Sequence, residues 1–206
     1  SESGPAVRAA ISNSLRSLRR SKCELLLLHW PANPIEKGTL SEIWSAMEAS
    51  VADGQAEALG VCNFTVNALD HLLSLRPTIL PSVNQCERHP LLPNWELLEF
   101  CSKHSIVLQA HTPLAHAEPW LLEHSVLKRV ANESGLTPAQ VCIQWNLKHG
   151  VPVVPKCSSD HHASEILQAA AGGGGAPVLT AAQMKWLDAL TPPGQSGQRK
   201  IRPPFM

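Results

Sequence analysis

Residues 137–156 read TPAQVCIQWNLKHGVPVVPK, and this stretch decides the fold class. Thr137 is a helix N-cap by type, since its hydroxyl accepts an orphan backbone N–H. Pro138 suits the first helical turn, where a missing N–H is no loss. Ala139 to Lys148 then reads as a helix that Gly150 stops, and Val151 to Pro155 is an apolar run of strand length ending at a cation, Lys156. A helix feeding a short apolar strand that ends in a polar residue is one unit of an α/β sheet.

Working outward, the unit recurs. Ala6 to Arg20 carries Val7, Ala10, Ile11, Leu15 and Leu18 at helical spacing and leads into Glu24 to His29, a strand by its length and by the Pro31 stop rather than by leucine's propensity. Leu40 to Asp53 is a helix stopped by Gly54, and Ala58 to Cys62 is a strand. Thr65 caps a helix through Leu75, ended by Arg76-Pro77. Ser82 to Cys86 is a strand, Asn94 to His104 a helix, Ser105 to His111 a strand, and a helix lies near His124 to Ser134. Helices at Ser164 to Ala171 and Thr180 to Leu190 follow, split by a Gly172–Gly175 loop, and the Pro- and Gly-rich tail from Thr191 is irregular.

Strands therefore end near residues 29, 62, 86, 111 and 155, at intervals that fit strand-helix crossovers. Such alternation predicts an α/β protein with a parallel sheet. Each strand ends at or beside a polar residue (His29, Asn63, Gln85, His111, Lys156), which favours a barrel whose working face gathers the strand C-termini. An open doubly wound sheet would carry G-x-G-x-x-G after its first strand, and the chain has neither that turn nor a G-x-x-x-x-G-K-[ST] phosphate loop.

Composition narrows the function. The chain has 206 residues, 44% of them apolar, and Lys+Arg balances Asp+Glu at 17 each. A zero net charge argues against an electrostatic nucleic-acid binder. No apolar run approaches the ~18 residues of a membrane span, and the N-terminus lacks a leader pattern, so a soluble, one-domain protein is expected. The six cysteines include no C-x-x-C pair, which predicts reduced thiols in a cytoplasmic setting and no metal site. The chain contains no tyrosine.

The strings LLLLHWP (25–31), ALGVCNF (58–64), VNQCERHPLLP (83–93), TPAQVCIQWNLKHGVPVVPK (137–156) and LTAAQMKWLDAL (179–190) together resemble the aldo-keto reductases, in order and spacing from Val7 onward. The resemblance implies a partial (β/α)8 TIM barrel retaining the fourth to eighth strands over residues 1–190, with 191–206 a tail. It also implies NADP(H) as cofactor and a small aldehyde or ketone as substrate. His29 matches the histidine that orients the substrate carbonyl, and Trp30 a wall of the substrate pocket. Asn63 and Gln85 match the amides that grip the nicotinamide carboxamide, a task for side chains that both donate and accept. Lys156 matches the lysine that meets the adenosine 2'-phosphate, Ser158 lies beside it, and Glu165 matches the residue holding the adenine amino group.

Departures from the family pattern accompany these matches. Cys62 stands where a serine is usual, and His111 replaces the tyrosine that stacks under the nicotinamide. His162 replaces an arginine, making a phosphate contact pH-dependent, and Ile166 replaces an asparagine. By the same resemblance, residue 1 falls just before the third barrel helix. The first three strands, with the proton-donating tyrosine, its lysine and its aspartate, are expected to be missing. A reductase, a cofactor-binding or regulatory barrel remnant, and an incomplete product are thus the readings open to this chain. Open edges at Glu24–His29 and Val151–Pro155, the second blunted by Pro152 and Pro155, predict self-association or a strand-supplying partner.

Overall fold

The structure is a computed structural model that describes residues 3–171 and 177–201. The Gly172–Gly175 run read as a loop lies outside the described residues. In chain order the elements are α1 (Ser3–Ser17), β1 (Cys23–Leu28), α2 (Ala32–Glu36), α3 (Leu40–Ala52), β2 (Ala56–Cys62), α4 (Val66–Ser74), β3 (Val83–Glu87), α5 (Trp95–Lys103) and β4 (Val107–His111). A 3-10 turn at Ala115–Ala117 follows, then α6 (Pro119–Leu122), α7 (Ser125–Ser134), α8 (Pro138–Lys148), β5 (Val153–Val154), α9 (Asp160–Ala171) and α10 (Ala181–Asp188). The described strands form one sheet in the order β1-β2-β3-β4-β5. The alternation predicts this order, because each helical crossover lays the next parallel strand beside the last.

The chain divides into two compact units, Ser1–Gln85 with Glu99–Val107 and Cys86–Leu98 with Leu108–Met206. In the first, β1 and β2 pair in parallel with Leu25 opposite Ala58 and Leu28 opposite Val61. The β2–β3 register sets Gly60 against Val83 and Cys62 against Gln85. Gly60 is required by this register: a Cβ there would sit 2.7 Å from the Val83 carbonyl oxygen and 2.7 Å from the Leu27 side chain. Leu59, Val61, Phe64, Leu69 and Leu72 form the core, with Leu40, Trp44 and Met47 of α3 buried as their helical spacing predicts. Trp44 donates its indole N–H to the Ile79 carbonyl at 3.0 Å, and the Glu48 carboxylate accepts the Ile79 N–H at 2.8 Å.

In the second unit, β4 and β5 pair in parallel through Ala110–Val153 and His111–Val154. The core joins Leu121, Leu127, Val130, Val141, Cys142, Trp145 and Leu187. Thr137 caps α8 as expected, in a reciprocal box with Gln140, and Thr180 does the same for α10 with Gln183. Several elements differ from the sequence reading. β5 is two residues rather than five, because Pro152 and Pro155 bracket it and cannot donate to a ladder. α9 begins at Asp160, four residues before the expected start, because Ser159 accepts the His162 N–H and caps it. The short α2, α6 and the 3-10 turn at Ala115–Ala117 were not expected at all. No helix among the described residues is long and apolar enough to cross a membrane.

Candidate functional site

The first unit brings His29, Cys62 and Asn63, at the C-terminal ends of β1 and β2, together with Gln85 in the middle of β3. Parallel pairing aligns these strands, so residues 22 to 34 positions apart in sequence become neighbours. Asn63 is the centre of the group. Its side-chain N–H donates to the main-chain carbonyl of His29 at 3.3 Å and to the Cys62 sulfur at 3.2 Å. Its backbone N–H donates to the Gln85 carbonyl at 2.9 Å. The Cys62 thiol makes a long contact of 4.0 Å to Gln85 Oε1. Burial pushes that thiol up to about 11, so Cys62 is a protonated, weak donor at neutral pH.

Asn63 also has a left-handed backbone, with φ 63°. Asparagine tolerates this region better than most residues, and a non-glycine residue held there by its surroundings is typical of functional strand ends. What holds it is Asn84, a residue to which the sequence analysis assigned no role. Asn84 is fully buried; its amide donates to the Phe64 carbonyl at 2.9 Å and its carbonyl accepts the Phe64 N–H at 3.4 Å. The turn that presents Asn63 is thereby clamped from β3. The signal was present in the VNQ string, but a buried asparagine is recognisable only once its burial is known.

His29 is exposed, and its ring lies 5.8 Å from the half-buried Trp30 ring at a tilt of 48°. The imidazole is therefore open to a ligand, with the indole as one flank.

The second unit carries the remaining candidates. His111 ends β4, half-buried, with Nδ1 2.9 Å from the Thr112 hydroxyl. Lys156, Ser158 and His162 are exposed in and just after the segment leading into α9. The amino end of this twelve-residue helix adds backbone N–H groups and the positive pole of its dipole to the Lys156 charge, a combination suited to phosphate. Asp160 in the first turn opposes it. Glu165 is less free: its carboxylate accepts the Thr137 hydroxyl, and its backbone carbonyl accepts from the Gln140 amide at 3.2 Å. It is tied into the cap of α8.

A family model described as the aldo/keto reductase family matches residues 3–191. The glyoxal reductase of Bacillus subtilis is 38% identical over 157 residues, which are 76% of this chain and 54% of that protein. Among solved structures, a variant of Gox0644 in complex with NADPH superposes with a TM-score of 0.83 at 28% identity, covering 97% of this chain and 71% of its own. An aldo-keto reductase from a deep-sea metagenome library superposes with a TM-score of 0.82 at 26% identity, covering 94% and 67%. The chain spans about half the length of the curated relatives it matches. These likenesses agree with the α/β, partial (β/α)8 barrel class read from the strand-helix alternation.

Proposed function

The chain belongs to the aldo/keto reductase family, and on that premise we propose that it carries the cofactor- and carbonyl-facing residues of an NADP(H)-dependent reductase of small aldehydes and ketones. One observation carries the reading: Asn63, locked in a left-handed turn by Asn84, meets His29, Cys62 and Gln85 where β1 and β2 end beside β3. The residues fit the dinucleotide. An exposed lysine and an exposed serine precede a capped helix in the second unit, and an amide pair is fixed in the first.

The bound cofactor supplies the hydride. In the first unit, Asn63 and Gln85 would hold the carboxamide, and the Cys62 sulfur restrains the Asn63 amide. His29 donates a hydrogen bond to the substrate carbonyl oxygen, beside the Trp30 wall. In the second unit, Lys156, Ser158 and His162 would bind the 2'-phosphate, and Glu165 would accept from the adenine amino group.

The 206 residues contain no tyrosine, and among the candidate site residues His29 is the one that could protonate the developing alkoxide. Losing a matched general acid costs about 10²–10⁴-fold in turnover. That favours a second reading of this chain by itself, a cofactor-binding barrel remnant with little turnover. β1 is an edge strand among the described residues, and its leucines are half-buried. We infer that this edge takes up further strands, from a partner or a second copy. The free cysteines suit a reducing, cytoplasmic compartment.

Fluorescence titration with NADPH, on the chain and on Asn63→Ala and Lys156→Ala, tests the binding roles. Saturable binding that either substitution weakens is the expected result, and no binding by the unsubstituted chain overturns the proposal. Turnover of methylglyoxal at the rate of a full-length reductase would overturn the remnant reading.

A further inference from the structure

Glu87 is fully buried, yet its carboxylate serves residues more than a hundred positions away. Oε1 accepts the backbone N–H of Lys200 at 2.6 Å, and Oε2 accepts that of Ile201 at 2.7 Å. Oε1 also lies 3.2 Å from His89 Nε2. Nearby, the Gln198 N–H donates to the Leu91 carbonyl at 2.7 Å. Gly197 lies so close that a Cβ there would stand 2.5 Å from the Leu91 oxygen and 2.8 Å from Leu92. Burial alone would raise the Glu87 carboxyl, but the bonds from His89, Lys200 and Ile201 outweigh it and hold the group below the usual range. It is an anion at neutral pH. Residues 197–201 are therefore pinned along their length.

The Lys200 side chain reaches the end of an unusual turn. Ala115, His116 and Ala117 have φ of 47°, 58° and 61°, three consecutive left-handed residues without a glycine. L-residues do not hold such a turn unaided. The turn follows His111 and ends at Glu118, whose carboxylate pairs with the Lys200 ammonium. Trp120, two residues further on, lies against the His89 ring at 5.5 Å. One carboxylate thus reaches two points just beyond the turn, Glu118 through Lys200 and Trp120 through His89.

We propose that residues 197–201 form a strap, anchored by Glu87, which positions the left-handed turn after His111 and so supports dinucleotide binding. Glu87 and Lys200 are its positioning residues. The ligand part rests on the proposed function, and the turn-holding part stands without it.

Hydrogen exchange on the full chain without cofactor reads the turn directly, through the hydrogen-bonded amides of Ala115, Ala117 and Glu118. Lys200→Met removes the ammonium but keeps the backbone bond to Glu87, so the fold is spared. Exchange in the turn should quicken about fivefold, the scale of one partly exposed ion pair, with the Ile201 amide still protected. Glu87→Gln should loosen both segments. NADPH affinity should fall by a similar factor in Lys200→Met and recover in Lys200→Arg.

Unchanged exchange in the turn overturns the strap. Faster exchange with unchanged NADPH affinity overturns its role in binding. Should the unsubstituted chain fail to bind NADPH, the proposed function falls, while the exchange result still decides whether the strap holds the turn.

Discussion

The guanidinium of Arg88 donates to the side-chain carbonyl of Asn146 at 2.7 Å, joining two fully buried residues 58 positions apart. Its Nε–H donates to the Pro93 carbonyl at 2.9 Å, and the cation lies 4.1 Å from the centre of the Trp145 ring and 5.5 Å from that of Trp95. Burial works against this charge and the field of Asp188 supports it. Truncation would leave Asn146 and Pro93 with unmet acceptors beside a cavity between two indoles. Arg88→Ala should therefore cost about 3–5 kcal/mol in urea unfolding. Arg88→Lys, which cannot fork to both acceptors and stack as well, should recover only part of that loss.

Acid should weaken the second unit in two stages. Burial lowers the His89 pKa against the pull of Glu87, with Arg199 and Arg88 adding to the lowering. The folded state thus keeps His89 neutral while the unfolded chain protonates at its ordinary 6.5. A histidine depressed in the fold contributes stability that is present above its unfolded pKa and declines as pH falls below it. Glu87, also depressed, contributes stability that is complete above the ordinary glutamate value of 4.5 and is lost as pH falls through its lower folded value. Urea midpoints from pH 8 to pH 3 should fall from about pH 6.5 and again below 4.5. His89→Gln, which retains a donor, should flatten the first decline.

Gly60→Ala tests the β2–β3 register. The added methyl meets a backbone oxygen, which cannot rotate away. A loss of about 1–3 kcal/mol is expected from overpacking, readable as a lower melting temperature. An unchanged melt would mean that the strands separate at no cost.

Thiol chemistry should discriminate among the six cysteines. Cys157 is exposed and Cys23 half-buried, whereas Cys62, Cys86, Cys101 and Cys142 are buried. Burial pushes Cys62 and Cys101 up to about 11 and Cys142 higher still. A colorimetric disulfide reagent at pH 7.5 should titrate one thiol rapidly, a second slowly, and the remaining four only in denaturant. Peptide mapping should place the fast label on Cys157.

Asn63→Asp separates backbone tolerance from amide chemistry. Aspartate accepts the left-handed conformation, but it places an acceptor against the His29 carbonyl that Asn63 now satisfies. Stability should drop by about 1–3 kcal/mol, with a loss of NADPH affinity. Asn63→Gly should keep the turn, lose the affinity and cost less stability than Asn63→Asp, since it removes the donor to His29 without setting a charge against it.

Much of the architecture was written locally. Thr65, Thr137 and Thr180 cap helices because hydroxyls at those positions meet their own helix's N–H groups. Strand-helix alternation implies a parallel sheet whatever the side chains touch, and it was enough to place His29, Asn63, His111 and Lys156 at strand ends or just beyond them, whereas β3 runs on past Gln85 to Glu87. Where neighbouring residues set the geometry, reading in order succeeds. The Ser159 cap of α9 was local too, but it was hidden by two adjacent serines.

Tertiary structure decided the rest. Asn84 clamping Phe64, Arg88 bridging to Asn146 and Glu87 receiving Ile201 across 114 positions join residues whose types announce nothing in isolation. A buried polar side chain is costly unless paired, and its partner is set by which distant segments the sheet brings together. The sequence alone therefore determined the α/β order of the elements and the candidate strand ends. Only the folded chain decided which carboxylate is an anchor, which asparagine is a clamp and which turn is held left-handed, because those are properties of contacts between segments far apart in the chain.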